Sequence, residues 1–407
     1  MVSIEEAQRT ILEQIPQMET EKVSVFQALN RVTPEDHIAP WDIPAADNSA
    51  MDGFAFSHAG VKDNRLKVTG FLPAGEVHTG EVSPGEAIKI MTGAPVPADC
   101  DTVVPIEDVG VDGEWISLRS TVKAGTHVRR RGEDIGLGDV VIPAGSLLRP
   151  QEIGMLSAMG STSLAVYRRA RVAILSTGDE LLEPGSTPMP GKLINSNSYS
   201  LAAQVLDAGG DPVLLGIAAD TLEATCEKIR AGLNADMLVI SGGVSVGDRD
   251  FVKAAIEQLG GKIAFWKINM KPGKPLAFAM LDGKPIFALP GNPVAAMVSF
   301  ELFVRPSILK AMGHQRIFRP VVKAALQGPV ANKGTRPHLV RGIVSQQDDR
   351  YCVSTTGNQS SGRLSSLILG NGLMKLAPES ALAAGDEAEV ILLDRGFEMR
   401  RGDNGGC

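Results

Sequence analysis

Residues 238 to 251 read Leu238-Val-Ile-Ser-Gly-Gly-Val-Ser-Val-Gly-Asp-Arg-Asp-Phe251, an apolar run that enters a glycine-rich loop ending in two carboxylates, Asp248 and Asp250. A short apolar run bounded by turn residues reads as a buried strand. Gly242, Gly243 and Gly247 suit the sharp turn after it. The charge of the loop is its informative property. A phosphate cradle presents backbone N–H groups and a cation, so acids have the wrong sign there unless a metal ion lies between. The chain holds no G-x-x-x-x-G-K-[ST], and Gly-Gly-x-x-x-Gly departs from the dinucleotide fingerprint.

Outward from this stretch, strand-like and helix-like segments alternate. RVAILST, NSNSYSLAAQVLDAGG, PVLLGIAA, TLEATCEKIRAGL, DMLVISGG and DFVKAAIEQLG follow one another, and KIAFWKI, PLAFAML, PIFALPG and the helical NPVAAMVSFELFVRPSILKAMG come after. Apolar strands alternating with helices predict a doubly wound, mostly parallel sheet covered on both faces, spanning residues 169–316. Short β-like runs separated by Gly and Pro predict a β-rich insert over 45–148 and a C-terminal β domain, a small barrel or sandwich, over 317–396. Ser3-x-x-Glu6 is a capping box ahead of Ile4, Ala7, Ile11 and Ile15 at helical spacing, and Pro150 opens a second helix. Packing of these two helices would make a discontinuous helical domain of 1–44 plus 149–168. Residues 397–407 are expected to be a flexible tail. The fold class is thus multidomain α/β.

The chain has 407 residues and a formal net charge of −7, which argues against a general nucleic-acid or acidic-membrane binder. Its four cysteines, Cys100, Cys226, Cys352 and Cys407, form no C-x-x-C pair, so a disulfide framework and a structural zinc site are both disfavoured. No apolar run approaches the roughly 20 residues needed to cross a bilayer. A soluble, cytoplasmic protein is expected.

Open α/β sheets bind ligands at the carboxyl ends of their strands, and there this chain is polar. Gly178, Asp179 and Glu180 follow one strand, Asp220 another, and Ser241 to Asp250 a third. Lys267, Lys271 and Lys274 lie in KINMKPGKP, and Pro290-Gly291-Asn292-Pro293 leads into a helix. Carboxylates take a hard cation while lysines and backbone N–H groups take an anion, so this set suits a magnesium-bridged phosphate ester or pyrophosphate. Blander accounts stay open for each member taken singly. The glycines serve any strand-to-helix turn, Asp250 and Asp220 sit where helix caps sit, and Asn292 with Pro293 suits a helix start. Asp52 before Gly53 reads first as an Asp-Gly turn.

DNSAMDGFA, MTGAPVPADCDTVVP, STGDEL, GIAAD, SGGVSVGDRDF, FWKINMKPGKP, LPGNPVAAMVSF and TTGNQSS resemble the molybdopterin molybdenumtransferase family, which also includes the gephyrin C-terminal region. The resemblance runs in order from about Ser3 to Leu393. It implies Mg²⁺-dependent insertion of molybdate into adenylated molybdopterin, with cleavage of the pyrophosphate bond and release of AMP. It further implies that Glu180 and Asp220 hold the metal or the pyrophosphate and that Asp250 is the essential acid. By the same resemblance Lys267, Lys271 and Lys274 bind anions, and Arg341 and Ser361 hold molybdate with Lys271 and Lys274. Asp52 and Thr92 match site positions of the β insert, and Ser241, Gly242, Gly243, Ser245, Pro290, Gly291 and Asn292 match substrate-binding loops. A homodimer with a site shared between subunits is implied, as are an upstream adenylyltransferase and downstream molybdoenzymes as partners. The family loop often reads Thr-Thr-Gly-His-Gln-Gly-Ser, and here Asn358 and Ser360 stand in place of its His and second Gly. A gephyrin-like scaffold and a molybdopterin adenylyltransferase are the alternatives. The retained acids and lysines weigh against the first, and the two additional β regions against the second.

Overall fold

A computed structural model describes residues 1–244, 250–347 and 349–393. The chain divides into two compact units, one of Met1–Lys22, Asn30–Pro34 and the chain from Ala165 onward, the other of Val23–Leu29 and Glu35–Leu164.

The first unit is built on a six-stranded sheet. Its order is Asp211–Ala218, Arg171–Thr177, Met237–Ser241, Lys284–Leu289, Ala277–Leu281 and Lys262–Phe265. The first four strands run parallel, and Ala277–Leu281 and Lys262–Phe265 are added antiparallel. Side chains of adjacent residues point to opposite faces, and each face has its own core. Val172, Ile174, Val239 and Phe287 pack with Leu201 and Val205 of the helix Asn197–Asp207. Ala173, Leu175, Leu238 and Ile240 pack with Cys226 and Ile229 of Leu222–Gly232 and with Ala255 and Ile256 of Val252–Gln258. The doubly wound expectation is met. The helix Ile4–Gln14 joins the first of these cores through Ile4, Ala7 and Ile11, and its Ser3–Glu6 capping box forms.

The segment read as one long helix before Gly313 is three. Pro293–Ser299 and Arg305–Ala311 are α-helical, and Phe300–Val304 between them has π-helical bonding. Pro306 has no N–H to donate back into the preceding turn, which accounts for the altered pattern there. Downstream, Val321–Leu326, Arg350–Thr355, His338–Gln347, Gly372–Leu376 and Glu387–Leu392 form a closed barrel in that order. It encloses Val340, Val344, Val353, Met374 and Val390. Closure leaves no unpaired edge, so of barrel and sandwich it is the barrel.

The second unit carries another six-stranded sheet, ordered Thr102–Pro105, Gly53–Phe56, Glu86–Ile90, Arg65–Leu72, Trp115–Leu118 and Val109–Asp112. Alternate residues of Gly53–Phe56 feed two cores, Ala55 with Ile88 and Val103, and Phe54 and Phe56 with Leu66 and Val104. The helix Pro150–Ala158 lies in this unit with its proline in the first turn. Glu152 caps it by accepting from Arg149, and that pairing holds the Glu152 carboxyl down at about 2. Among the described residues no helix is long and apolar enough to cross a membrane.

Candidate functional site: two adjoining clefts of opposite charge

The strand from Asp211 and the strand from Met237 lie on opposite sides of Arg171–Thr177, so the chain reverses its direction of winding at that strand. Such a reversal parts the connections above the strand ends and opens a crevice. A cleft of about 470 Å³ lies there, lined by Thr177, Glu180, Asp220, Asn197, Ser241, Asp250 and neighbouring residues. Gly242 and Gly243 make the turn off the central strand at φ +95° and +64°. A Cβ on Gly242 would stand 2.7 Å from the Thr177 carbonyl oxygen, and one on Gly243 would stand 2.8 Å from the Thr177 hydroxyl. Only glycine brings this backbone so close to the neighbouring strand.

The acids arrive from separate loops. Asp179 and Asp220 tie two of them together, each backbone N–H donating to the other's carboxylate at 3.2 and 3.1 Å. Asp220 does not cap the following helix, because Thr221 does so through its hydroxyl to the Ala224 N–H. The cap position of the helix Val252–Gln258 is Phe251, one residue after Asp250. Asp220 and Asp250 both line the cleft. Beneath the floor, Asn197 Nδ2 donates to Ser241 Oγ at 2.7 Å and to the Gly291 carbonyl at 2.8 Å. Asn292 occupies the cap position of Pro293–Ser299 with no side-chain cap bond, and Pro293 is in the first turn.

A second cleft of about 590 Å³ is lined by Lys271, Lys274, Arg336, Asn358, Gln359, Ser360 and Ser361, among others. Pro275, Pro290 and Asn292 line both clefts, which therefore adjoin. The chemistry changes across that shared wall. Among the described residues the first lining holds three carboxylates and no Lys, Arg or His, while the second holds three cations and no Asp or Glu.

Three family descriptions match the chain in order: MoeA N-terminal region (domain I and II) over residues 2–160, probable molybdopterin binding domain over 173–310, and MoeA C-terminal region (domain IV) over 323–393. Molybdopterin molybdenumtransferase 2 of Mycobacterium tuberculosis is 36% identical, over 96% of this chain and 99% of that protein. The molybdopterin molybdenumtransferase of Haemophilus influenzae is 34% identical, over 96% and 98%. A crystal structure of the molybdopterin biosynthesis MoeA protein from Pyrococcus horikoshii OT3 superposes with a TM-score of 0.82 at 30% identity, covering 96% of this chain and all of that one. The chain belongs to the MoeA family of molybdopterin molybdenumtransferases.

Within this MoeA-family chain the expected site residues fall into distinct places. Glu180, Asp220, Asp250, Ser241, Gly242 and Gly243 line the acid cleft, Lys271, Lys274 and Ser361 the basic one, and Pro290 and Asn292 both; Gly291 lines the acid one. Lys267 is exposed and lines neither, its carbonyl accepting from the Val2 N–H. Ser245 lies outside the described residues. Asp52 and Thr92 belong to the other unit, where the Thr92 N–H and hydroxyl both donate to Asp52 Oδ1 at 2.7 Å and hold its carboxyl below the usual range.

Arg341 is fully buried and stands behind the basic cleft rather than in its lining. It donates from Nε to Ser366 Oγ and from Nη2 to the Ser360 carbonyl, at 3.1 and 3.0 Å, bracing the loop that carries Ser361. Its Nη1 has no partner among the described residues, and burial lowers its pKa. Nearby His338 is 6% exposed, and desolvation together with Lys271, Arg341 and Arg336 lowers it to about 4, so it is neutral at pH 7. Arg336 was missed by sequence reasoning. Its signal was a cation just ahead of a strand, in GTRPH, opposite the lysine loop; its Nη1 also holds the Met270 carbonyl at 3.0 Å.

Proposed function

We propose that this chain inserts molybdate into adenylated molybdopterin, cleaving the pyrophosphate bond, releasing AMP and giving molybdenum cofactor. The observation that carries the reading is the adjoining pair of clefts, acid on one side of Pro290 and Asn292 and basic on the other. A substrate with a pyrophosphate and a separate oxyanion needs both kinds of surface. Lys271, Lys274 and Ser361 supply charge and hydrogen bonds for molybdate, and Arg341 fixes the loop that presents Ser361. Gly242, Gly243 and the turn Pro290–Asn292 bring backbone up to the substrate.

Among the described residues no three His, Cys, Asp or Glu groups stand close enough to enclose a metal ion. Mg²⁺ does not need an enclosure, since it binds through one or two carboxylates and takes its other ligands from phosphate and water. Glu180 and Asp220, hard oxygen donors on one cleft wall, fit that requirement. When bound there Mg²⁺ would offset charge on the pyrophosphate. Asp250 faces the same space and is the acid on which turnover depends. By resemblance the enzyme is a cytoplasmic homodimer in which the partner subunit's Asp52 and the partner subunit's Thr92 complete the site.

The test is incubation with adenylated molybdopterin, Mg²⁺ and molybdate, following AMP release and molybdenum retention. Release that requires Asp250, and retention that requires Lys271 and Lys274, is the expected result. ATP consumption with unmodified molybdopterin and no AMP release from the adenylated form would overturn it in favour of adenylation.

A further inference from the structure

Asp179 stands between the two acids assigned to the metal, next to Glu180 in the chain and bonded to Asp220. It is exposed and lies outside the lining of the acid cleft. Its polar groups are committed to neighbouring loops instead. The Asp179 N–H donates to Asp220 Oδ2 at 3.2 Å, its Oδ1 accepts from the Asp220 N–H at 3.1 Å, and its carbonyl accepts from Lys192 Nζ at 2.6 Å. Glu180 is fixed from its own side, because its carbonyl accepts from the Leu193 N–H at 2.8 Å and Leu181 pairs with Leu193 just after it. Asp220 belongs to the other wall. The strands Arg171–Thr177 and Asp211–Ala218 make their last pairing at Thr177 and Ala218, and the Gly178 N–H still reaches the Ala218 carbonyl at 3.3 Å. Beyond that point the reciprocal Asp179–Asp220 bonds carry the two loops across the gap. Carboxylates that ligate a metal are themselves oriented by outer hydrogen-bond partners.

We propose that Asp179 is a positioning residue for the metal acids. Its carboxylate accepts the Asp220 N–H and so holds Asp220 at the spacing from Glu180 that one cation needs, without touching the cation. The inference rests on the assignment of Mg²⁺ to Glu180 and Asp220 in the functional reading above.

Mn²⁺ is the probe, since it takes the same hard oxygen ligands and its free form is read by EPR. Full-length wild type, Asp179→Ala and Asp179→Asn are titrated at fixed ionic strength, and Glu180→Gln marks the binding that belongs to this site. Both Asp179 variants remove the same negative charge, so the difference between them reads the acceptor alone. The Asn amide oxygen can still accept the Asp220 N–H, and the Ala methyl cannot. Asp179 is exposed, so neither substitution opens a core. Asp179→Ala is expected to bind Mn²⁺ about 10- to 100-fold more weakly than wild type, and Asp179→Asn to stay within about 3-fold of it. Equal weakening in the two variants would assign Asp179 a charge or ligand role and overturn the proposal. Wild-type affinity in Asp179→Ala would overturn this inference alone and leave the proposed reaction standing. A wild type with no Glu180-dependent Mn²⁺ binding would overturn the metal assignment and this inference together.

Discussion

His338 should make the basic cleft's scaffold acid-sensitive. It is 6% exposed, its Nε2 has no partner among the described residues, and burial with Lys271, Arg341 and Arg336 around it lowers its pKa from 6.5 to about 4. A histidine depressed in the fold is held neutral there while the unfolded chain takes up the proton. The stability this confers is therefore complete above about 6.5 and drains away as pH falls towards about 4. Each unit of pKa difference corresponds to about 1.4 kcal/mol. Relative to pH 7.5, this one group should then cost about 2.5 kcal/mol at pH 4.5. The backbone beside it pairs with the lysine loop, the Lys271 N–H donating to the Pro337 carbonyl and the Leu339 N–H to the Lys271 carbonyl at 2.9 and 2.7 Å. Urea unfolding of wild type and His338→Phe at pH 7.5 and 4.5 isolates the effect, because every other titrating group is common to both. The wild type should lose about 2.5 kcal/mol more than the variant. Equal losses, or an imidazole that titrates near 6.5 by NMR, would refute the reasoning.

Lys271→Ala and Lys274→Ala should each weaken molybdate binding about 10- to 100-fold, the value of one charge-assisted contact, with the loss read by calorimetry at fixed salt. Gly242→Ala and Gly260→Ala share a positive φ, +95° and +85°, but only the first places a Cβ against backbone. Gly260→Ala should cost about 1 kcal/mol and Gly242→Ala about 2–4 kcal/mol by urea unfolding, and equal costs would count against the close approach. Arg341→Lys leaves one ammonium where a fork reached both Ser360 and Ser366. It should weaken molybdate binding while AMP alone still binds, and unchanged molybdate affinity would remove Arg341 from the site's support.

The α/β unit was legible because burial on both faces forces apolar strands and helices to alternate, and that pattern survives in residues 171–313 without any tertiary knowledge. The strand-end rule then found the acids, since Glu180, Asp220 and Asp250 sit in loops whose place is dictated by the strands before them. Lys267 shows where the rule stops: it shares a short run with Lys271 and Lys274, and nothing in the spacing reveals that only the latter two turn to the cleft. Arg341 and Asn197 mark a second limit. What sets their roles is which neighbours satisfy the guanidinium or the amide, and those neighbours lie 19 to 94 positions away in the chain. The altered bonding in the helix before Gly313 was readable in retrospect from Pro306 alone.

One small motif at the barrel's rim has wider reach. Gln359 Oε1 accepts from the Arg341 N–H at 2.8 Å, and Gln359 Nε2 donates to the Arg341 carbonyl at 3.2 Å beside the Thr356 N–H at 3.1 Å, so a side-chain amide supplements the backbone bonding of the strand. The mount of this loop is thereby separated from its tip. Asn358 and Ser360, the two positions that differ from the common family pattern, flank the anchoring glutamine, and Asn358 Oδ1 accepts from the Ser360 N–H at 2.9 Å within the tip. Natural variation can exchange the chemistry offered to an oxyanion, one side chain at a time, while the barrel that carries it stays as it was.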